Sequence, residues 1–205
     1  FAPGFTLDGS GDAEALRAEA VAAATAADVA VLFLGVPAAE ESEGFDRRRI
    51  DLPEVQLELL EAVVAANPRV VVVLSNGGAV AIPFAAAVPA ILEGWLLGQA
   101  GGSATADVLF GTVNPSGKLT ETIPLRLEDT PAFENFPGEH GHVRYGEGVL
   151  VGYRWYDAKR LEVAYPFGHG LSYTSFAYGD AVASVAADGD VVVTVAVTNT
   201  GDVAG

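Results

Sequence analysis

The sequence predicts an α/β fold: a mostly parallel sheet flanked by helices, an α/β sandwich, followed by a truncated β-sandwich segment. Three observations carry this. Near-continuous apolar runs of strand length, DVAVLFLGV at 28–36 and RVVVVLS at 69–75, alternate with stretches of helical spacing. The connections between them are short, as in strand–helix–strand units with right-handed crossovers. After Ser172 the apolar period drops from that of a helix to two.

The elements follow in order. GSGDAEALRAEAVAAATAAD reads as a helix, with Ser10 or Asp12 as its cap and alanine-rich spacing behind. Residues 28–36 form the first strand, buried on both faces because its apolar run does not alternate. A charged stretch comes next. Pro53 then opens a second helix at the favoured first position, and Val55, Leu59, Leu60, Val63 and Val64 give it an apolar face. The second strand spans 69–75, and NGGAV follows. A short third strand ends near Glu93 to Trp95, and SATADVLFG is a helix stopped by Gly111. From Thr112 the alternation ends, and Asn135 to Gly170 reads mostly as loop, a length usually reserved for function or for packing on another domain. Asp188-Gly189 is a turn signal between two alternating runs in the tail. About three strands there are too few to close a core alone.

In a parallel sheet the ligand edge is the one at the carboxyl ends of the strands. Three unusual loops follow the three strands: Pro37 to Leu52, Asn76 to Val80, and Gly94 to Gly102. All belong to that edge. The first is conspicuous, because four carboxylates (Glu40, Glu41, Glu43, Asp46) and three arginines (Arg47, Arg48, Arg49) crowd together in an otherwise apolar chain.

Composition excludes several classes. The 205 residues suffice for one domain and part of another, and 50% hydrophobic with 19% charged residues supports a packed core. A net charge of −16 repels nucleic acid and anionic lipid, so neither is an expected partner. Without cysteine there are no disulfides, no thiolate catalysis and no Cys-ligated zinc. No apolar run reaches membrane-spanning length and no signal peptide is present, though a chain starting at Phe1 and stopping at Gly205 in mid-pattern reads as a fragment.

Several motifs fail on inspection. GTVNPSGKLT, at 111–120, places five residues rather than four between its glycines and puts Leu119 where a Mg²⁺-binding hydroxyl is needed, so it is a turn and not a phosphate loop. No G-x-G-x-x-G follows the first strand, and no G-x-S-x-G occurs. His140, His142 and His169 are too scattered for a metal site, and the acidic cluster lacks calcium-loop spacing. No cofactor and no metal is expected. Most of the charges in the 40–51 loop read as a solvated face held by ion pairs contributing about 0–1 kcal/mol each. Glu43 differs. Gly44 lets backbone approach closely and Phe45 supplies an apolar wall, beside which a carboxyl can become a general acid.

ESEGFDRRRIDLP, VVVVLSNGGAV, EGWLLGQAGGSATADVLFGTVNPSGKLTETIP and RYGEGVLVGYRWYDAKRLEVAYPFGHGLSYTSFAY, in this order, resemble the family 3 glycoside hydrolases, the β-glucosidase group. The resemblance implies the family's second, α/β sandwich domain for residues 1–176 and the beginning of its fibronectin-III-like domain for 177–205. It implies an exo-acting, retaining hydrolysis of β-linked glucosides or oligosaccharides, which takes two carboxyl groups about 5–5.5 Å apart. The family's nucleophile is an aspartate on an N-terminal (β/α)8 barrel. That barrel is expected as a partner within the same protein, and no residue here takes its role. The family's acid/base glutamate, in the pattern S-E-G-[FY]-D-R, falls on Glu43. Ser42, Gly44, Asp46 and Arg47 match the same motif and are expected to support the loop, while Glu40 and Glu41 lie out of register with Gly44. Tyr145, Tyr153, Trp155, Tyr156, Tyr165 and Phe167 read as interface anchors ahead of sugar platforms.

The alternatives are a β-xylosidase or other β-glycosidase of the same family, and a non-catalytic carbohydrate-binding or scaffold module. The sugar released, the aglycone and the oligomeric state, a homo-oligomer included, stay open. The absent cysteines and the resemblance point to a bacterial cytoplasmic enzyme, with secretion as the alternative.

Overall fold

Helix α1 (Ala13–Thr25) starts where the Asp12 carboxylate accepts the backbone N–H groups of Glu14 and Ala15, both at 3.1 Å. Of the two candidate caps, Asp12 is the one used. The structure, a computed structural model, describes all 205 residues. Two units emerge, each discontinuous in sequence: Phe1–Gly98 with Thr120–Gly168, and Gln99–Leu119 with His169–Gly205.

In the first unit, β1 (Ala30–Gly35), β2 (Val70–Ser75) and β3 (Ala90–Glu93) form one parallel sheet in the order β1-β2-β3. The register pairs Ala30 with Val70 and Gly35 with Ser75, then Val71 with Ala90 and Leu74 with Glu93. The carboxyl ends therefore share one edge, and the loop after each strand starts there. Helix α2 (Glu54–Ala66) connects β1 to β2, packs on α1 and β1, and buries Leu59, Leu60 and Val63. Pro53 stands one residue ahead of the expected position, as the residue preceding the helix, where its missing N–H costs nothing. Asn67 joins the two helices: its amide donates to Ala24 O and Ala27 O, and its oxygen accepts from Arg69 N.

The central strand β2 is almost wholly buried, as a non-alternating apolar run predicts. The same expectation for β1 is half right. Ala30, Leu32 and Leu34 are buried, whereas Val31 and Phe33 on the opposite face are 41% and 62% exposed.

The stretch read as mostly loop contains two further elements. Helix α4 (Tyr153–Lys159) ends at Arg160, and β5 (Val163–Tyr165) pairs antiparallel with β4 (Ile123–Pro124). Tyr156 is buried and the half-buried Trp155 donates its Nε1–H to Asp129 O at 2.9 Å, so both make contacts within their own unit. Tyr145 remains 81% exposed, and Tyr153 stacks on Phe167 at 5.2 Å.

In the second unit, helix α3 (Gly101–Leu109) is followed by Gly111 in the left-handed region, as expected of a helix stop. The tail carries four strands instead of about three: β6 (Phe176–Tyr178) pairs with β9 (Val197–Asn199), and β7 (Val182–Val185) with β8 (Val191–Thr194) across the Asp188-Gly189 turn. All four are exposed, so these ribbons enclose no core.

Candidate active site

The site is built at the carboxyl edge of the β1-β2-β3 sheet. Gln56 of α2, 1% exposed, clamps the last residue of β1: its Oε1 accepts from Gly35 N at 2.9 Å and its Nε2 donates to Gly35 O at 2.8 Å. The chain then turns at once, Glu40 N and Glu41 N both donating to Pro37 O at 2.8 and 3.0 Å. On the return, Ile50 O accepts from Ala81 N at 2.7 Å and Leu52 is buried. The charged loop is thus fixed at both ends by backbone hydrogen bonds and burial.

Its middle is fixed by Glu41. One carboxylate oxygen accepts from Gly77 N at 2.6 Å, and the other from Gly78 N at 3.0 Å and Arg47 Nη1 at 3.0 Å. Consecutive backbone N–H groups of this kind form a concave anion seat. A Cβ at Gly77 would lie 3.1 Å from the Glu41 carboxyl carbon, close enough that the carboxylate would have to shift. Arg47 also points at Ala79 O, at 3.4 Å. By contrast, the Glu40–Arg49 pair, at 2.9 Å, is exposed and contributes little.

Between Glu41 and Arg47 the chain makes an exposed tip. Glu43 sits in it with a solvent-exposed side chain, and the exposed Phe45 follows two residues on. Gly44 has φ +94°, in the region open to glycine, which lets the tip reverse direction. Ser42 Oγ donates to Glu43 O at 3.2 Å. Asp46 is exposed and makes no hydrogen bond or ion pair. Of the residues singled out for loop support, Arg47 holds the neighbouring strand's loop, while Ser42 and Gly44 act within the tip.

Two further carboxyls, which no sequence motif singles out, lie near Asn76 and Arg47. Glu93, ending β3, accepts from Trp95 N at 2.9 Å and approaches Asn76 Nδ2 at 3.5 Å. Burial pushes its pKa up, the Trp95 and Asn76 contacts oppose this, and the charge of Glu121 adds to it. Burial likewise raises Glu121, against a hydrogen bond from the Ala79 backbone and the charge of Arg47. Asn76 is fully buried and donates to Gly78 O at 2.9 Å. Asn76 Oδ1 and Arg47 Nη2 are buried without a hydrogen-bond partner. A signal for Glu93 existed, a single acid inside the apolar run AILEGW. The signal for Glu41 was the Gly-Gly pair after β2, whose free N–H groups face the same edge and need an acceptor. Glu121 gave none. No group of three His, Asp or Glu side chains converges as metal ligands would.

The arrangement therefore presents a carboxylate at the tip of a short loop whose two flanks are tied to the next strand's turn. A carboxylate so held can exchange a proton with a molecule docked above the sheet edge.

Residues 6–173 match the model of the glycosyl hydrolase family 3 C-terminal domain. The chain is 57% identical to an exo-α-(1→6)-L-arabinopyranosidase of Bifidobacterium longum over 205 residues, covering 99% of this chain and 27% of that protein. It is 52% identical to thermostable β-glucosidase B of Acetivibrio thermocellus, covering 88% of this chain and 24% of that protein. Among solved structures, the family 3 β-glucosidase of Bifidobacterium adolescentis superposes with a TM-score of 0.92 at 56% identity, covering 98% of this chain and 30% of that one. The chain thus spans about a quarter of the length of the curated relatives it matches.

Proposed function

Because this chain belongs to glycosyl hydrolase family 3, matching its C-terminal domain, we propose that it supplies the general acid/base of a retaining, exo-acting β-glycosidase, and that Glu43 is that group. The observation that carries the proposal is the exposed carboxylate at the tip of a loop tied down on both sides, with Glu41 and Arg47 as the ties. The nucleophile and the pocket for the released sugar are assigned to the remainder of the parent protein. In the same reading, residues 1–176 are the family's α/β sandwich domain and 177–205 the opening of a fibronectin-III-like domain.

The chemistry balances in two steps. A carboxylate from the rest of the protein attacks the anomeric carbon while the bond to the leaving oxygen breaks. Protonated Glu43 gives its proton to that oxygen. Glu43, now ionised, removes a proton from water, whose oxygen displaces the enzyme carboxylate and restores the original anomeric configuration. An exposed tip suits this role, since the same carboxyl must meet first an aglycone and then a water.

The test uses the full-length parent and an aryl β-glucoside with a good leaving group. Glu43→Ala should turn over slowly in water, because deglycosylation lacks its base, and azide should restore turnover with β-glycosyl azide as product. On poor leaving groups kcat/KM should fall by about 10²–10⁴-fold. Near-normal activity of the variant on both substrate kinds would place the acid elsewhere.

A second reading of the sugar has its own support, the 57% identity to an α-L-arabinopyranosidase. An α-L-arabinopyranoside carries its glycosidic bond in the ring orientation of a β-D-galactoside, so the same acid/base serves it. Comparing kcat/KM of the parent on aryl β-D-glucoside and α-L-arabinopyranoside decides between the two sugars.

A further inference from the structure

We infer that Glu41 is the positioning residue of the proposed acid/base, acting through Glu43; this rests on the reading of Glu43 given above.

Glu41 lies two residues before Glu43, a tether of at most about 7 Å of chain. Its three donors, at 2.6, 3.0 and 3.0 Å, come from two places: the Gly77-Gly78 backbone after β2, and Arg47 on the far side of the tip. The first pair ties the loop of β1 to the turn of β2. The second closes residues 42–46 into a small ring, shut by a half-buried ion pair whose side chains are 22% and 19% exposed. A closed ring this short has few conformations, so the tip carboxyl is presented in a narrow range of positions. The Glu40–Arg49 pair also spans the tip, but as a wider and more exposed closure with no tie to the turn of β2. Asp46 makes no hydrogen bond or ion pair, and Glu40 spends its charge on Arg49 at the surface. Ser42 reaches only the adjacent carbonyl.

The seat also requires a carboxylate. Two oxygens receive three N–H groups, and an amide in the same place would turn one NH₂ toward at least one of those donors. Glu41→Gln, nearly isosteric, therefore loosens the ring without emptying the site. A displacement of about 1 Å at a reacting group can cost about 10²-fold.

The experiment is a double-mutant cycle in the full-length parent: wild type, Glu41→Gln, Glu43→Ala and the double variant, each measured as kcat/KM on an aryl β-glucoside with a good leaving group and on an alkyl β-glucoside. Glu41→Gln is expected to lose about 10–100-fold on the alkyl substrate and about threefold or less on the aryl one. In the Glu43→Ala background it is expected to cost no more than about twofold, because the group it positions is gone. Equal losses on both substrates, additive losses in the double variant, or near-wild-type kinetics of Glu41→Gln would each overturn the inference while leaving Glu43 as the acid/base. Failure of Glu43 itself shows separately, as near-normal kcat/KM of the Glu43→Ala single variant on both the aryl and the alkyl substrate. Gly77→Ala is the second probe. Its Cβ would lie 3.1 Å from the Glu41 carboxyl, and it should reproduce the same substrate-selective loss if Glu41→Gln fails to accumulate.

Discussion

Glu93 is a carboxyl of the sheet edge whose burial ties stability to pH. Burial favours its neutral acid, and the charge of Glu121 works the same way, so its folded pKa lies above the unfolded one. The stability it contributes is complete below the unfolded pKa and is lost as pH rises through the folded pKa. Glu93→Gln removes the titration and keeps the shape. The melting temperature of the variant should therefore rise relative to wild type as pH goes from about 4 to about 8, with the two converging at the acid end. A constant offset between the two curves would mean that Glu93 titrates normally. Little of this was legible beforehand. An isolated glutamate inside AILEGW hints at burial, but the Glu121 that reinforces it lies 28 positions away in sequence. Glu43 and Glu41 make the same point in reverse. A motif register picks out Glu43, while the role of Glu41 depends on which backbone N–H groups the fold brings opposite it.

At the scale of the element, β1, α2 and β2 could be read because each carries its period within its own residues: unbroken apolar runs for the strands, and Leu59, Leu60 and Val63 at helical spacing between them. The common edge of their loops follows from parallel pairing alone. Helix α4 and the β4–β5 pair could not be read in the same way. The helix has seven residues, β4 has two with a proline as the second, and the pairing joins Ile123 to Tyr165. Such elements exist by tertiary contact and leave no local pattern. Gln56 shows how strongly an element's end can depend on one distant side chain. Gln56→Leu keeps the helix and the volume but strips Gly35 of a donor and an acceptor, a cost of about 1–3 kcal/mol per group left unsatisfied. Hydrogen exchange at the Gly35 and Val36 amides should accelerate more than at Val72 or Val73 in the buried strand, because the opening is local to the end of β1. Uniform acceleration across both strands would mean that Gln56 supports the whole sheet rather than the start of the charged loop.

At the scale of the whole molecule, the proposed proton donor has no counterpart assigned within this chain. Double displacement needs a second carboxyl about 5–5.5 Å from the first, on the other side of the anomeric carbon. Within the first unit three other carboxyls of the edge are committed, Glu41 to three N–H groups, Glu40 to Arg49 and Glu93 to Trp95 N, while Asp46 and Asp51 are exposed and unpaired. The relatives are about four times as long, and β1 turns Val31 and Phe33 outward on the face opposite its buried residues. Both facts accord with a domain that works as part of a larger body. The 205-residue chain by itself should then show no glycosidase turnover above a Glu43→Ala control, in a host preparation cleared of its own glycosidases. The full-length parent should be active and lose that activity with the same substitution. Phe33→Ser should reduce self-association of the isolated chain in sedimentation velocity, since it removes the most exposed apolar side chain of that face. Turnover by the isolated chain that disappears with Glu43→Ala would sink this division of labour, because both reacting carboxyls would then have to lie among these residues. Asp46 and Asp51, the exposed and unpaired acids of the charged loop, would be the first to test as nucleophile.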